Sequence, residues 1–262
     1  MTKPEVVIVK PKPKVEVVMC IYKTSCNLLK PIVQRIFRQN IAISTNCINM
    51  AAVSDTNLPG TNNLQPQPFK YFLVLDFEAT CENGRTIVPQ EIIEFPVLKI
   101  NAVTLQTESV FHQYVQPKVN QQLTPFCTEL TGIIQDMVDG QPYIEEVLEK
   151  FHTWLEENDL LNPENKFIFV TCGDWDLKTM LTSQLRYFGI NRAPYFNKWI
   201  NIKKPCSHHT NEYPKGMMAM LKKLDLTHEG RHHSGIDDCK NIGRILTELL
   251  RRGVVFKPTG KL

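Results

Sequence analysis

The run Phe72-Leu73-Val74-Leu75 leads without a break into Asp76-Phe77-Glu78. Four consecutive apolar residues leave no polar side for solvent, so the segment reads as a central strand covered on both faces. Whatever the rest of the chain builds must supply both covers. Side chains two positions apart share a strand face, so Asp76 and Glu78 emerge together where that strand ends. Two carboxylates leaving a buried strand side by side repel each other, and a hard divalent cation with oxygen ligands is the natural counter-charge.

The surrounding pattern supplies the covers. Strands are expected over KYFLVLDFEAT, EIIEFPVLKINAV and ESVFHQYVQP, three in succession, as in a meander. A short helical element follows around Pro125 to Leu130, then a helix from about Pro142 to Glu157 with Ile144, Val147, Leu148, Phe151 and Leu155 on one face. Next come the strand KFIFVTC and helices near Leu177 to Phe188, Met217 to Leu224 and Ile236 to Arg251. Strands first and α/β alternation afterwards predict an α/β fold with a mixed sheet flanked by helices.

The last helix carries an anomaly. Its apolar stripe is Ile242, Ile245, Leu246 and Leu249, and Asp238 lies on the same stripe one turn earlier. A carboxylate facing the core costs several kcal/mol unless it is paired or metal-bound. The neighbouring Asp237 projects elsewhere and, with Ser234, forms an S-x-x-D arrangement expected to cap the helix N-terminus. His233, five residues before Asp238 in a small-residue loop, has the ordinary pKa of a general base near neutral pH; His232 is taken as a bystander. A third region, Gly173-Asp174-Trp175-Asp176, ends a buried strand and opens a helix. Periodicity does not choose between its two aspartates.

Asp-Phe-Glu-Ala-Thr (76 to 80), Gly-Asp-Trp-Asp (173 to 176) and His-Ser-Gly-Ile-Asp-Asp (233 to 238) together resemble the three motifs of the DEDDh 3′-to-5′ exonucleases, the superfamily of ribonuclease T and polymerase proofreading subunits. PQEIIEFPVLKIN, LTPFCTELTGI, KWINIKK and SGIDDCKNI are similar to the histone-mRNA/enhanced-RNAi exoribonuclease family, in particular its prion-interactor branch, over about residues 69 to 257. The resemblance implies a ribonuclease-H-like fold and selects Asp176 over Asp174. It implies that Asp76, Glu78, Asp176 and Asp238 hold two Mg²⁺ or Mn²⁺ ions, roughly 3.5–4 Å apart, and that His233 takes the proton of the attacking water while Glu78 also approaches the terminal nucleotide. The expected substrate is an RNA 3′ end, single-stranded or with a short overhang. Ala79, Thr80, Leu130, Thr131 and Ile133 would wall the terminal nucleotide, and Lys203 and Lys204, with Lys215, Lys222 and Lys223, would track phosphates. Gly235 stands where the third motif usually has Ala, as in this branch, and no separate SAP module is visible in the first 70 residues. The rival expectations are a catalytically silent RNA-binding module and an exonuclease for single-stranded DNA.

Charge agrees with a polyanionic substrate. Residues 71 to 176 hold five basic and eighteen acidic residues (−13), whereas 177 to 262 hold sixteen and six (+10). Eight cysteines without a CxxC pair, mostly in apolar runs, read as reduced thiols of an intracellular protein, in cytoplasm or nucleus. Cys206, His208, His209, His228 and His232 fit no closed zinc spacing. Residues 1 to 68 read as an extension and linker, a place for protein partners, with an amphipathic stripe at Leu28, Leu29, Ile32, Val33, Ile36 and Phe37 that faintly resembles a mitochondrial presequence. Residues 258 to 262 read as a tail. No stretch suits a membrane span.

Overall fold

The computed structural model describes residues 64–262; expectations for the extension and its stripe lie outside the described residues. Seven strands form one mixed sheet. Strand β1 (Tyr71–Leu75) is central, antiparallel to β3 (Ile92–Asn101) on one side and parallel to β5 (Phe167–Thr171) on the other. Its continuation β2 (Glu78–Ala79) pairs with β3 in the same register beyond a break at Asp76-Phe77, and the register shifts only between Glu78 and Ala79. Strand β4 (Thr107–Tyr114) runs antiparallel along β3, which makes the expected meander. On the far side β6 (Lys198–Asn201) is parallel to β5, and β7 (Gly260–Lys261) closes antiparallel on β6.

The alternation in β1 separates two cores. Tyr71, Leu73 and Leu75 face a cluster with Phe95, Phe151, Trp154, Phe169 and Phe196, under helix α3 (Ile144–Glu157) and helix α4 (Leu181–Phe188). Phe72 and Val74 face the other cluster, with Ile242, Ile245, Leu246 and Leu249 of helix α7 (Gly235–Arg251) and Met217, Met220 and Leu221 of helix α6 (Met217–Lys223). All five β1 residues are buried, which is why none could be polar. A smaller cluster of Ile93, Cys127, Ile133 and Val138 seats helix α1 (Pro125–Thr131) and the short helix α2 (Gln135–Val138). Helix α1 ends at Gly132, whose φ of 79° stops it.

Several features were not expected, strand β6 and the short helix α2 among them. Helix α5 (Lys203–Thr210) follows β6 directly, and only Cys206 of it is buried. Trp175–Met180 forms a π turn before α4, a geometry the 3.6-residue period does not report. Strand β7 falls in the segment expected to be a tail, and Gln67, expected in the linker, donates to the Val254 carbonyl and accepts from the Phe256 N–H. No helix among the described residues is long and apolar enough to cross a membrane.

Candidate active site

Asp76 follows Val74 on the α7 side of β1, at the point where pairing with β3 breaks. Glu78, on β2, continues that side and lies directly across from Glu94 of β3. Helix α7 enters from above with Asp238 in its first turn, 5% exposed. One carboxylate oxygen each from Asp76, Glu78 and Asp238 lie within 4.8 Å of one another. Asp176, in the π turn after β5, stands outside that trio but abuts it: its Oδ1 accepts the Phe77 N–H at 3.0 Å, from the peptide between Asp76 and Glu78. Asp174 is turned away and accepts the Trp199 indole N–H at 2.8 Å, so the structure separates the two aspartates that spacing left open.

The four carboxyls disturb one another. Burial raises Asp76 well above the usual carboxylate range, and Asp176, Glu78, Asp238 and Glu94 push the same way. Glu78 rises to about 9 through burial, then Glu94, Asp238 and Asp176. Asp176 rises to about 6 through burial, against the Phe77 hydrogen bond. Asp238 is raised by burial and partly restored by the His233 N–H, which donates to its Oδ2 at 3.0 Å, and by His232 and His228. Its Oδ1 is buried with no hydrogen-bond partner among the described residues. An all-oxygen cluster that resists ionisation and keeps one orphaned acceptor fits a hard divalent cation, the group that restores ionisation to all four.

Helix α7 is held by a residue the sequence reading missed. Glu94 is 1% exposed; its Oε2 accepts the Gly235 N–H at 2.9 Å, and its Oε1 accepts the Ile236 N–H at 3.2 Å and meets His112 Nε2 at 2.7 Å. The expected capping box is not formed, because Ser234 makes no side-chain cap and Asp237 accepts instead from the Arg231 N–H and Lys240 Nζ. A carboxylate from the sheet does the capping, so helix and sheet are docked at the point where Asp238 meets Asp76. The signal for this was a glutamate in the otherwise apolar run IIEFPVL. The docking also accounts for Gly235: a Cβ there would lie 2.8 Å from the Asp76 carbonyl oxygen and 3.0 Å from Glu94 Oε2.

His233 sits in the loop before α7 with φ at 64°, and burial, then His232 and Arg231, lower its pKa. Arg231 Nη2 donates to the Glu129 carbonyl at 2.5 Å, tying that loop to the end of α1. Of the expected nucleotide-wall residues, Ala79, Thr80, Thr131 and Ile133 are buried and Leu130 is half-buried at the α1 end. Thr80 Oγ1 accepts the Glu91 N–H, and Thr131 Oγ1 accepts the Ile133 N–H, so both hydroxyls already hold backbone. Lys203 Nζ donates to the Lys215 carbonyl, and Lys204 Nζ to that of Thr259. Lys204 lines a groove with His208, His209, Arg252 and Lys257, whereas Lys223 is paired with Glu212. The cysteine-histidine set also divides: Cys206 is buried on α5, and His228 and His232 face Asp238.

Comparison with known proteins gives a consistent answer. Residues 73–246 match the family model described as Exonuclease (RNase_T). The chain is 59% identical over 197 residues to ERI1 exoribonuclease 3 of Homo sapiens, an alignment covering 75% of this chain and 58% of that protein. It resembles the solved nuclease domain of 3′hExo, a DEDDh family member bound to rAMP, at 37% identity and TM-score 0.69, covering 74% of this chain and 98% of that one. A second solved structure, described as 3′-end-specific recognition of a histone mRNA stem-loop by 3′-exonuclease, matches at 37% identity and TM-score 0.72, covering 75% of this chain and 68% of that one.

Proposed function

This chain belongs to the exonuclease (RNase_T) family, whose DEDDh members are metal-dependent, and from that premise we propose that it is a 3′-to-5′ exoribonuclease releasing nucleoside 5′-monophosphates. The observation that carries the reading is the convergence of Asp76, Glu78 and Asp238 within 4.8 Å, beside Asp176 and under the His233 loop.

Asp76, Glu78, Asp176 and Asp238 would hold two Mg²⁺ or Mn²⁺ ions. When bound, such ions stabilise developing negative charge on the phosphodiester and lower the pKa of water. The protein groups do the rest. His233, its pKa lowered, is neutral near pH 7 and accepts the proton of the water that attacks phosphorus. The bond from phosphorus to the preceding 3′ oxygen breaks, leaving a 3′-hydroxyl on the shortened RNA. The Glu94 cap fixes the height of α7 and hence of Asp238, while Arg231 ties the His233 loop to the α1 end, beside which the terminal nucleotide would lie. Lys203 and Lys204, in the basic half of the domain, would meet phosphates further along the strand. An RNA 3′ end, single-stranded or with a short overhang, is the proposed substrate, by analogy with the stem-loop neighbour.

The test is turnover of a 5′-labelled RNA oligonucleotide with Mg²⁺ or Mn²⁺ by the parent, Asp76→Ala and His233→Ala, with a DNA oligonucleotide and a 3′-blocked RNA alongside. A ladder shortening from the free 3′ end only with parent and metal is expected. Equal inertness of all three proteins on both nucleic acids would replace the enzyme by a binding module, and preferential DNA degradation would change the substrate.

A further inference from the structure

Three imidazoles surround Asp238, although the proposed reaction uses one. His232 Nε2 lies 4.0 Å from Asp238 Oδ2 and His228 Nε2 lies 3.9 Å from Asp238 Oδ1. The His232 and His233 rings overlap with centroids 3.9 Å apart, and one ligand atom each from His232, His233 and Asp238 fall within 4.8 Å of one another. We propose that His232, His233 and Asp238 form a second, nitrogen-rich metal site for a borderline-soft divalent ion of the Zn²⁺ class, adjoining the all-oxygen cluster and sharing Asp238 with it, and that loading it stops turnover.

The ligand types separate the two sites. Mg²⁺ keeps oxygen ligands and most of its waters, whereas Zn²⁺ accepts imidazole nitrogen and carboxylate oxygen in a four-coordinate shell that can include water. Zn–N bonds of about 2.0 Å place tetrahedral ligands about 3.3 Å apart, so atoms within 4.8 Å need only a modest contraction. His232 can supply it, because its side chain is 44% exposed and its ring is held by stacking on His233 rather than by burial. Beside this cluster two buried atoms, His228 Nε2 and Asp238 Oδ1, lie 3.9 Å apart, and neither has a hydrogen-bond partner among the described residues. They are too far apart to bond directly, and because buried polar atoms ordinarily find a partner, a ligand held on Asp238 would also meet His228. Asp238 Oδ1 faces His228 and Oδ2 faces His232, and one of the two oxygens also lies in the carboxylate cluster, so Asp238 is common to both groups.

Binding has a mechanical consequence for the reaction. A Zn²⁺ ion on the His233 nitrogen occupies the lone pair that accepts the proton of the attacking water. Arrest thus rests on the exonuclease reading, while the binding itself does not.

The experiment uses the full chain and ZnCl₂ as the probe. RNA turnover is titrated with Zn²⁺ at saturating Mg²⁺ for parent and His232→Ala, and Co²⁺ is added to both proteins without RNA while visible absorption is recorded. With each protein's rate taken relative to its own Zn²⁺-free rate, His232→Ala should need at least tenfold more Zn²⁺ than the parent for half-inhibition. Parent Co²⁺ should show the intense bands of a four-coordinate nitrogen-containing site, and His232→Ala should lose them. Equal inhibition of the two proteins, or a Co²⁺ spectrum left unchanged by the substitution, overturns the proposal; the first result would place Zn²⁺ on the carboxylates. If neither protein degrades RNA, the exonuclease reading has failed and the Co²⁺ spectra alone decide this one.

Discussion

Replacing Glu78 with glutamine should make the metal-free protein more stable at pH 7 while ending its turnover. Glu78 is 8% exposed, and its carboxyl is held at about 9 against an ordinary 4.5. The folded state therefore binds this proton more tightly than the unfolded chain does. Below pH 4.5 both states are protonated and nothing is lost; from there to about pH 9 metal-free stability falls as pH rises. At pH 7 the loss is 7 minus 4.5 units at about 1.36 kcal/mol each, or about 3 kcal/mol. Glutamine keeps the size and cannot ionise, so it should recover most of that. In a domain near 200 residues this corresponds to roughly 6–12 °C in Tm. The assay is thermal unfolding of parent and Glu78→Gln in a chelating buffer from pH 5 to 8, repeated with Mg²⁺ or Mn²⁺. The gap should widen with pH in chelator and shrink or reverse with metal, which stabilises the parent by binding its folded state. A Glu78→Gln protein no more stable than the parent in chelator at pH 7, or a gap independent of pH, would refute the reasoning.

Asp176→Asn should abolish degradation of labelled RNA, whereas Asp174→Asn should retain it, since Asp174 serves the Trp199 indole; the same gel assay distinguishes them. Glu94→Ala leaves the Gly235 and Ile236 N–H groups and His112 without their acceptor and should cost about 3 kcal/mol in denaturant unfolding, with a fall in kcat from the displaced Asp238. Gly235→Ala forces a methyl against the Asp76 carbonyl and should cost about 1–3 kcal/mol, with reduced turnover, read by thermal unfolding and by rate.

What could be read from the chain follows the physics of burial. The run 72 to 75 required two covers, and the two core clusters on either side of β1 supply them. Asp238 broke the apolar stripe of its helix, and that helix brings it to Asp76 and Glu78. Contacts between distant segments left weaker traces. Glu94 caps a helix 141 positions later, which no local spacing encodes. The S-x-x-D pattern misled because the Ser234 N–H goes to the Arg231 carbonyl and the Asp237 side chain to Arg231 and Lys240, while a sheet residue caps the Gly235 and Ile236 N–H groups. Asp174 and Asp176 are separated by a π turn and an indole 25 positions away, so periodicity alone left both in play. Helix α5 went unseen because KKPCSHHT buries one side chain and shows no apolar stripe.

Strand β7 is two residues long, yet it occupies a vulnerable margin of the molecule. Beyond β6 the sheet would otherwise end in a row of open N–H and C=O groups beside the large Trp199 ring, an arrangement that invites pairing with another chain. Gly260 can lie there only because it lacks a side chain, since a Cβ would sit 2.1 Å from the Trp199 indole. The Thr259 N–H bonds to the Trp199 carbonyl, and its hydroxyl accepts from the Asn201 N–H. Pro258 before this strand and Lys261 within it are both poor templates for further strand addition. A protein lacking residues 258 to 262 should therefore form larger species in size-exclusion chromatography while its domain remains folded, and an unchanged elution volume would show that the open β6 edge is harmless.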